Sequence, residues 1–428
     1  MIKIYKDREI DAFLEHLGSR SAESTEEIRK TVSRILSDIR TRKDAALLHY
    51  TARFDQVDLR HAGFQVSMKE TADAASSVPP ALQQVIEEAA ENIRRFHQKG
   101  RRESWLSWDE DGIVTGQRVT PLDRVGLYVP GGRAVYPSSL LMTAIPAQVA
   151  GVREIAIVSP PDRSGKVHPA ILATAAFLGI DEIYKVGGAQ AIGALAFGTE
   201  TIPGVDKIVG PGNAYVAEAK RQVFGRVAID MIAGPSEVVI LADDSARPDF
   251  VAADLLAQAE HDPAASSVCV TPDAELAARI AEAVETQARG LKRGDIIGAS
   301  LRDWGGILVP DSMEVAFGLV NRLAAEHLGL HVREPWEILK SIRHAGAVFL
   351  GHFAPETVGD YWAGPNHVLP TNRTARFASP LGTQDFLKFS SLIAYPESAL
   401  KGNADAVIKF AELEGLDAHA NAVRQRLV

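Results

Sequence analysis

Two adjacent residues, Glu326 and His327, pair a carboxylate with an imidazole. A histidine with a pKa near ~6.5 takes a hydroxyl proton at neutral pH, and a glutamate can activate a water. Neighbours on a helix point about 100° apart and do not share a target. In 324–330 the pair falls where a helix passes into a strand, which relaxes that limit. An exposed polar pair is the plain alternative. A second set of residues suits a metal ion. Gln258 and His261 are spaced to share one helix face. Asp360 and His367 bracket the Gly/Pro loop 361–366, and His419 lies near the end of the chain. Gln, Asp and two His donors, with no thiolate, match zinc or a similar ion. Their separation along the chain leaves that grouping open. Cys269 sits in the apolar run 266–271, which reads as a buried strand and a core thiol rather than a nucleophile.

These residues hang on an α/β framework. Residues 24–98 carry helical stripes: Ser24 and Glu27 resemble a capping box ahead of Ile28, Val32, Ile35 and Ile39. A second stripe runs through Leu82, Ile86, Ala89, Ile93 and Phe96 to a stop at Gly100. From about residue 124 short apolar runs alternate with helices. Strand candidates at 125–129, 154–158, 182–186 and 207–209 argue for a parallel sheet. A second series follows at 238–241, 268–271, 306–309 and 347–350. Three glycine turns, at Gly131-Gly132, Gly187-Gly188 and Gly210-Pro-Gly212, follow strands and precede helices. Helix N-termini there can cradle a phosphate, but none of the turns is a G-x-G-x-x-G fingerprint, and each serves equally as a tight turn. The last ~45 residues read as a helical tail.

Bulk properties bound the function. The chain has 428 residues and a formal charge of -9, which gives no electrostatic reason to expect nucleic acid. One cysteine excludes an intrachain disulfide, and no signal peptide or uncharged run of ~20 residues is visible. A cytoplasmic protein is the expectation.

Taken together, Tyr128-Val-Pro-Gly-Gly132, Tyr136-Pro-Ser-Ser139, Gly187-Gly-Ala-Gln-Ala191, Ile208-Val-Gly-Pro-Gly-Asn213 and Asp230-Met-Ile-Ala-Gly-Pro-Ser-Glu237 resemble histidinol dehydrogenases. So do Gln258-Ala-Glu-His-Asp262, Glu326-His-Leu328, Gly359-Asp360, Gly364-Pro-Asn-His367 and Glu414-Gly-Leu416 with His419. The resemblance spans nearly the whole chain. It implies two doubly wound, incomplete Rossmann-like parallel-sheet domains with a helical N-terminal segment and a helical C-terminal tail. In that division residues 1–23 are an arm, 24–123 with 236–380 the main domain, 124–235 an inserted domain and 381–428 the tail.

The resemblance also implies roles. Gln258, His261, Asp360 and His419 would bind one zinc ion, and Glu326 and His327 would be the acid–base pair. Ser236, Gln258, His261, His327, Asp360, His367, Glu414 and His419 would touch substrate. Tyr128, Gln190 and Asn213 would contact NAD. The implied activity is oxidation of L-histidinol through the aldehyde to L-histidine with two NAD, in a homodimer whose tails cross to the partner's site. Two departures from the family pattern stand out. Ala325 replaces a proline, Gly329 replaces a glutamate, and 371–374 reads Thr-Asn-Arg-Thr where small residues are usual. Arg373 there could alter which substrate fits. Oxidation of another small diol, such as a sulfonated propanediol, and a non-catalytic metal scaffold are the alternatives.

Overall fold

A computed structural model describes residues 2–20, 25–131 and 136–427. Two parallel sheets dominate it. The first has five strands in the order Ile183–Lys185, Glu154–Ser159, Arg124–Tyr128, Lys207–Val209 and Ala228–Ile229. Its order reverses between Arg124–Tyr128 and Lys207–Val209, so a crevice opens at the carboxyl ends of those two strands. The second sheet has six parallel strands: Lys3–Lys6, Gly306–Val309, Ser266–Val270, Glu237–Ala242, His327–His331 and Ala347–Leu350.

Helices cover both faces of both sheets, which buries the strands and explains their near-continuous apolar runs. Val32, Ile35 and Ile39 of helix Glu26–Phe54 pack with Ile192 and Val216 on one face of the first sheet. Ala89 and Ile93 of helix Pro80–Gln98 pack with Leu140 and Ile171 on the other. These helices therefore pack in the core of the first sheet. Hydrophobic stripes mark the buried face of a helix but not the sheet that covers it. In the second sheet, Leu255, Ile280 and Leu301 lie on one face and Phe13, Leu319 and Val320 on the other. Cys269 is buried in strand Ser266–Val270, as expected.

Other sequence-based expectations need correction. The proposed cap Ser24, like Gly132, lies outside the described residues, and Thr25 caps the helix by accepting from the Ile28 amide. The N-terminal segment is not helical throughout, because Lys3–Lys6 adds an edge strand to the second sheet. Trp105–Trp108, Val114–Pro121 and Leu387–Ala394 form an antiparallel sheet. The tail thus begins with a strand. Its residues carry no clean alternation, since Phe389, Leu392 and Ile393 are all exposed in this chain.

Candidate active site

Glu326 and His327 stand at the start of strand His327–His331, both buried, paired through His327 to Val238 of strand Glu237–Ala242. Helix Met313–Leu323 ends just before them, with Ala324 in the left-handed conformation (φ 47°) turning the chain into the strand. The expected helix-to-strand junction is present, and it frees the two side chains from helical geometry. Glu237 organises the pair through its main chain. Its amide donates to Glu326 Oε2 at 3.0 Å. Its carbonyl accepts from His327 Nδ1 at 3.2 Å. A carbonyl only accepts, so Nδ1 carries a proton, and in the neutral imidazole the lone pair is on Nε2. Nε2 is buried without a hydrogen-bond partner and lies 3.7 Å from Asp360 Oδ1.

Burial pushes the Glu326 carboxyl up to about 7, against the opposing pull of His327 and of the Glu237 amide. Burial disfavours the His327 imidazolium, but the Glu326 and Asp360 carboxylates outweigh it and push that group up. Each member of the pair therefore holds its proton more tightly than it would in water, so the fraction able to act as a base grows as pH rises.

Asp360 lies in the short helix Glu356–Tyr361, and its carbonyl accepts from His367 Nδ1 at 3.0 Å. His367 Nε2 accepts from the Ser139 hydroxyl at 3.1 Å. Ser139 belongs to helix Pro137–Ala150, which follows strand Arg124–Tyr128 of the first sheet. His367 thus ties the amino end of the second sheet to the carboxyl end of the first. In the second sheet the acid–base pair occupies the amino end, not the carboxyl end expected of an open α/β sheet. Gln258 is in the last turn of helix Pro248–Ala259, buried, with neither amide atom partnered. His261 lies beyond the helix end, so the two do not share a helix face as expected. The His261 amide still bonds the Gln258 carbonyl at 3.2 Å, and Asp360 is an electrostatic neighbour of the His261 ring.

An orphaned buried amide beside an imidazole and a carboxylate is a donor set that fits a zinc ion, with N and O ligands. His419 does not join it within this chain. It is exposed on helix Asp417–Arg424, and Glu414 is exposed just before it. Among the described residues no three His, Cys, Asp or Glu side chains gather as an ion would require. Ser236 is half-buried beside Glu237.

The glycine turns of the first sheet converge as a group. The Tyr128 hydroxyl accepts from the Gly188 amide at 3.1 Å. A Cβ at Gly210 would meet the Tyr128 carbonyl oxygen at 2.2 Å, and Gly210 has φ 116°, so only glycine fits. Gln190 is buried in the first turn of helix Gly188–Phe197, and Asn213 caps helix Ala214–Val223 by accepting from the Tyr215 and Val216 amides. Glycine turns and helix N-termini at the switch point fit the phosphates of a dinucleotide. A buried pair that the sequence did not reveal locks this crevice. The Lys220 ammonium donates to the Gly210 carbonyl at 2.9 Å, Asp230 accepts the Gly210 amide at 2.8 Å, and the two side chains pair with each other.

Comparison with known proteins places this arrangement. The family model for histidinol dehydrogenase matches residues 18–427. The chain is 56% identical to the histidinol dehydrogenase of Geobacillus kaustophilus, covering 95% of this chain and 96% of that one. It is 53% identical to that of Bacillus subtilis, covering 94% of each. A crystal structure of the Elizabethkingia anophelis histidinol dehydrogenase superposes with a TM-score of 0.94 at 40% identity, covering 100% of this chain and 98% of that one.

Proposed function

Because the chain belongs to the histidinol dehydrogenase family, we propose that it oxidises L-histidinol through the aldehyde to L-histidine, using NAD, as the final step of histidine biosynthesis. The observation that carries this reading is the pair Glu326–His327, held by the main-chain amide and carbonyl of the single residue Glu237 and facing Asp360. His327 Nε2 takes the proton of the substrate hydroxyl as hydride leaves the carbinol carbon. Glu326 takes a proton from the water that adds to the aldehyde. The proton on His327 passes to the aldehyde oxygen as the water adds, which completes the hydrate and frees Nε2. His327 then takes a hydroxyl proton of the hydrate as the second hydride leaves to a second NAD, giving the carboxylic acid, which ionises to L-histidine. NAD supplies the hydride acceptor, and Tyr128, Gln190 and Asn213 line its proposed crevice at the first sheet.

Gln258, His261 and Asp360, with His419, would hold a zinc ion. Bound there, the ion supplies an anchor for the amine and imidazole nitrogens of the substrate. Ser236, His367 and Glu414 are placed to touch the substrate in the same reading. His419 and Glu414 come from the partner subunit of a homodimer. Three features support this: the tail helices Glu397–Leu413 and Asp417–Arg424 pack mainly on each other, Phe410 and Leu413 are exposed, and Trp108 and Ile393 are exposed on the antiparallel sheet. We read the chain as two α/β units, one around each parallel sheet, with the tail exchanged between subunits. We place the enzyme in the cytoplasm. No helix among the described residues is long and apolar enough to cross a membrane.

The test is NADH formation across a panel of amino alcohols and diols that includes a sulfonated propanediol. Histidinol should be preferred by kcat/KM. Preference for the sulfonated diol would replace this reading with a diol dehydrogenase.

A further inference from the structure

Arg20 closes helix Arg8–Ser19 in the N-terminal arm, yet its side chain is buried at the amino end of the second sheet, behind the acid–base pair. Nη1 donates to the Ser236 carbonyl at 3.2 Å and to the Ala264 carbonyl at 2.9 Å. Nη2 donates to Glu237 Oε2 at 3.0 Å. The other carboxylate oxygen of Glu237 accepts from the Asn372 amide at 2.5 Å. Asn372 and Arg373 both have positive φ, 52° and 63°, a conformation that non-glycine residues adopt only when the surroundings impose it. Thr371, in the same turn, accepts the Gly234 amide at 2.7 Å. The segment 234–237 is therefore clamped from one side by the 371–374 turn and from the other by Arg20. The main chain of that segment carries the amide that holds Glu326 and the carbonyl that holds His327.

We propose that Arg20 is a positioning residue for the oxidation, acting through Glu237 and Ser236 to set the places of Glu326 and His327. This rests on the assignment of those two as the acid–base pair. Arginine suits the task because its planar fork spans two carbonyls and a carboxylate at once, which a point-like ammonium does not. Arg20 is also the paired cation of the buried Glu237 carboxylate, with Glu326 a second electrostatic neighbour, so its loss would leave one oxygen of Glu237 unpaired and the carboxylate uncompensated. A cavity of about 80 Å³ lined by Arg20, Glu237, Asn372 and Val239 lies beside the clamp, so the freed carboxylate has room to move. A small displacement of segment 234–237 then moves donor and acceptor together, and a misplacement of about 1 Å can cost about 10²-fold in rate.

The experiment uses the full-length, zinc-loaded enzyme. Arg20→Lys keeps the buried charge and tests the fork; Arg20→Ala removes both. We expect kcat for histidinol oxidation to fall about 10-fold in Arg20→Lys and about 100-fold in Arg20→Ala, with KM for histidinol and NAD within about threefold. Should Arg20→Ala fail to fold, Arg20→Lys carries the test alone. In a His327→Asn background, where the base for the alcohol step is gone and that step limits turnover, Arg20→Lys should cost less than about twofold further in single-turnover oxidation of histidinol to the aldehyde. An equal loss in both backgrounds, a loss confined to KM, or an unchanged kcat would overturn the proposal. If His327→Asn itself left kcat intact, the assignment of the base would fail, and this inference with it.

Discussion

His327 turns Nδ1 onto the carbonyl oxygen of Glu237, 3.2 Å away, and so aims Nε2 at Asp360, whose Oδ1 is 3.7 Å away. The Glu237 amide holds Glu326 at 3.0 Å. The two peptide groups flanking the Glu237 Cα thus orient the proposed base for the alcohol and the proposed base for water. His327→Asn should lower kcat by about 10²–10⁴ while leaving substrate affinity within a few-fold, since an asparagine amide can still reach the Glu237 carbonyl. Glu326→Gln should slow conversion of the aldehyde more than oxidation of the alcohol, because only the former consumes water. Single-turnover measurements started from histidinol and from histidinal separate the two effects. Equal slowing of both steps by Glu326→Gln would remove its assignment to water.

The pair Glu326–His327 was legible in the sequence because adjacent acid and imidazole at a helix-to-strand junction is a local pattern. The two parallel sheets were legible for the same reason, from short apolar runs between helices. What escaped acts through space. Arg20 meets Glu237 across 217 positions of sequence, and Glu237 works through its main chain, which carries no side-chain signature. Lys220 and Asp230 were hidden likewise, since a buried ion pair looks like two surface charges until the fold closes over it. The position of His261 just past Ala259 depended on where a helix stops, and helix ends are poorly encoded when no glycine or cap marks them.

His97 provides a pH dependence of stability. It is 4% exposed, its Nε2 lacks a partner, and burial pulls its pKa down to about 4 from an ordinary 6.5. As pH falls below 6.5 the unfolded chain takes up the proton first, so folded stability declines until about pH 4. The full effect is on the order of 3 kcal/mol, at ~1.4 kcal/mol per pKa unit. His97→Leu, which keeps the carbonyl that accepts from Thr383, should lose less stability than wild type between pH 7 and 4.5 in urea titrations. Parallel curves for the two proteins would contradict this.

The proposed donor set predicts that activity depends on a metal. Chelation should abolish turnover, and one equivalent of zinc per chain should restore it. Gln258→Leu should weaken zinc retention, because it removes the orphaned amide while preserving volume. Full turnover by enzyme shown by elemental analysis to be metal-free would refute the site.

The tail should act in trans. Mixing His419→Ala chains with His327→Asn chains, each inactive, creates heterodimers in which one site carries both lesions and the other none. Activity should return toward half per heterodimer once subunits exchange. If exchange is verified and no activity returns, each tail serves its own subunit.

The central claim is a four-electron oxidation at one site, and its most direct test is stoichiometry. Zinc-loaded enzyme given limiting L-histidinol and excess NAD should form two NADH and one L-histidine per histidinol consumed, with no free aldehyde trapped by semicarbazide. One NADH per histidinol with the aldehyde accumulating, or no NADH at all, would contradict the account.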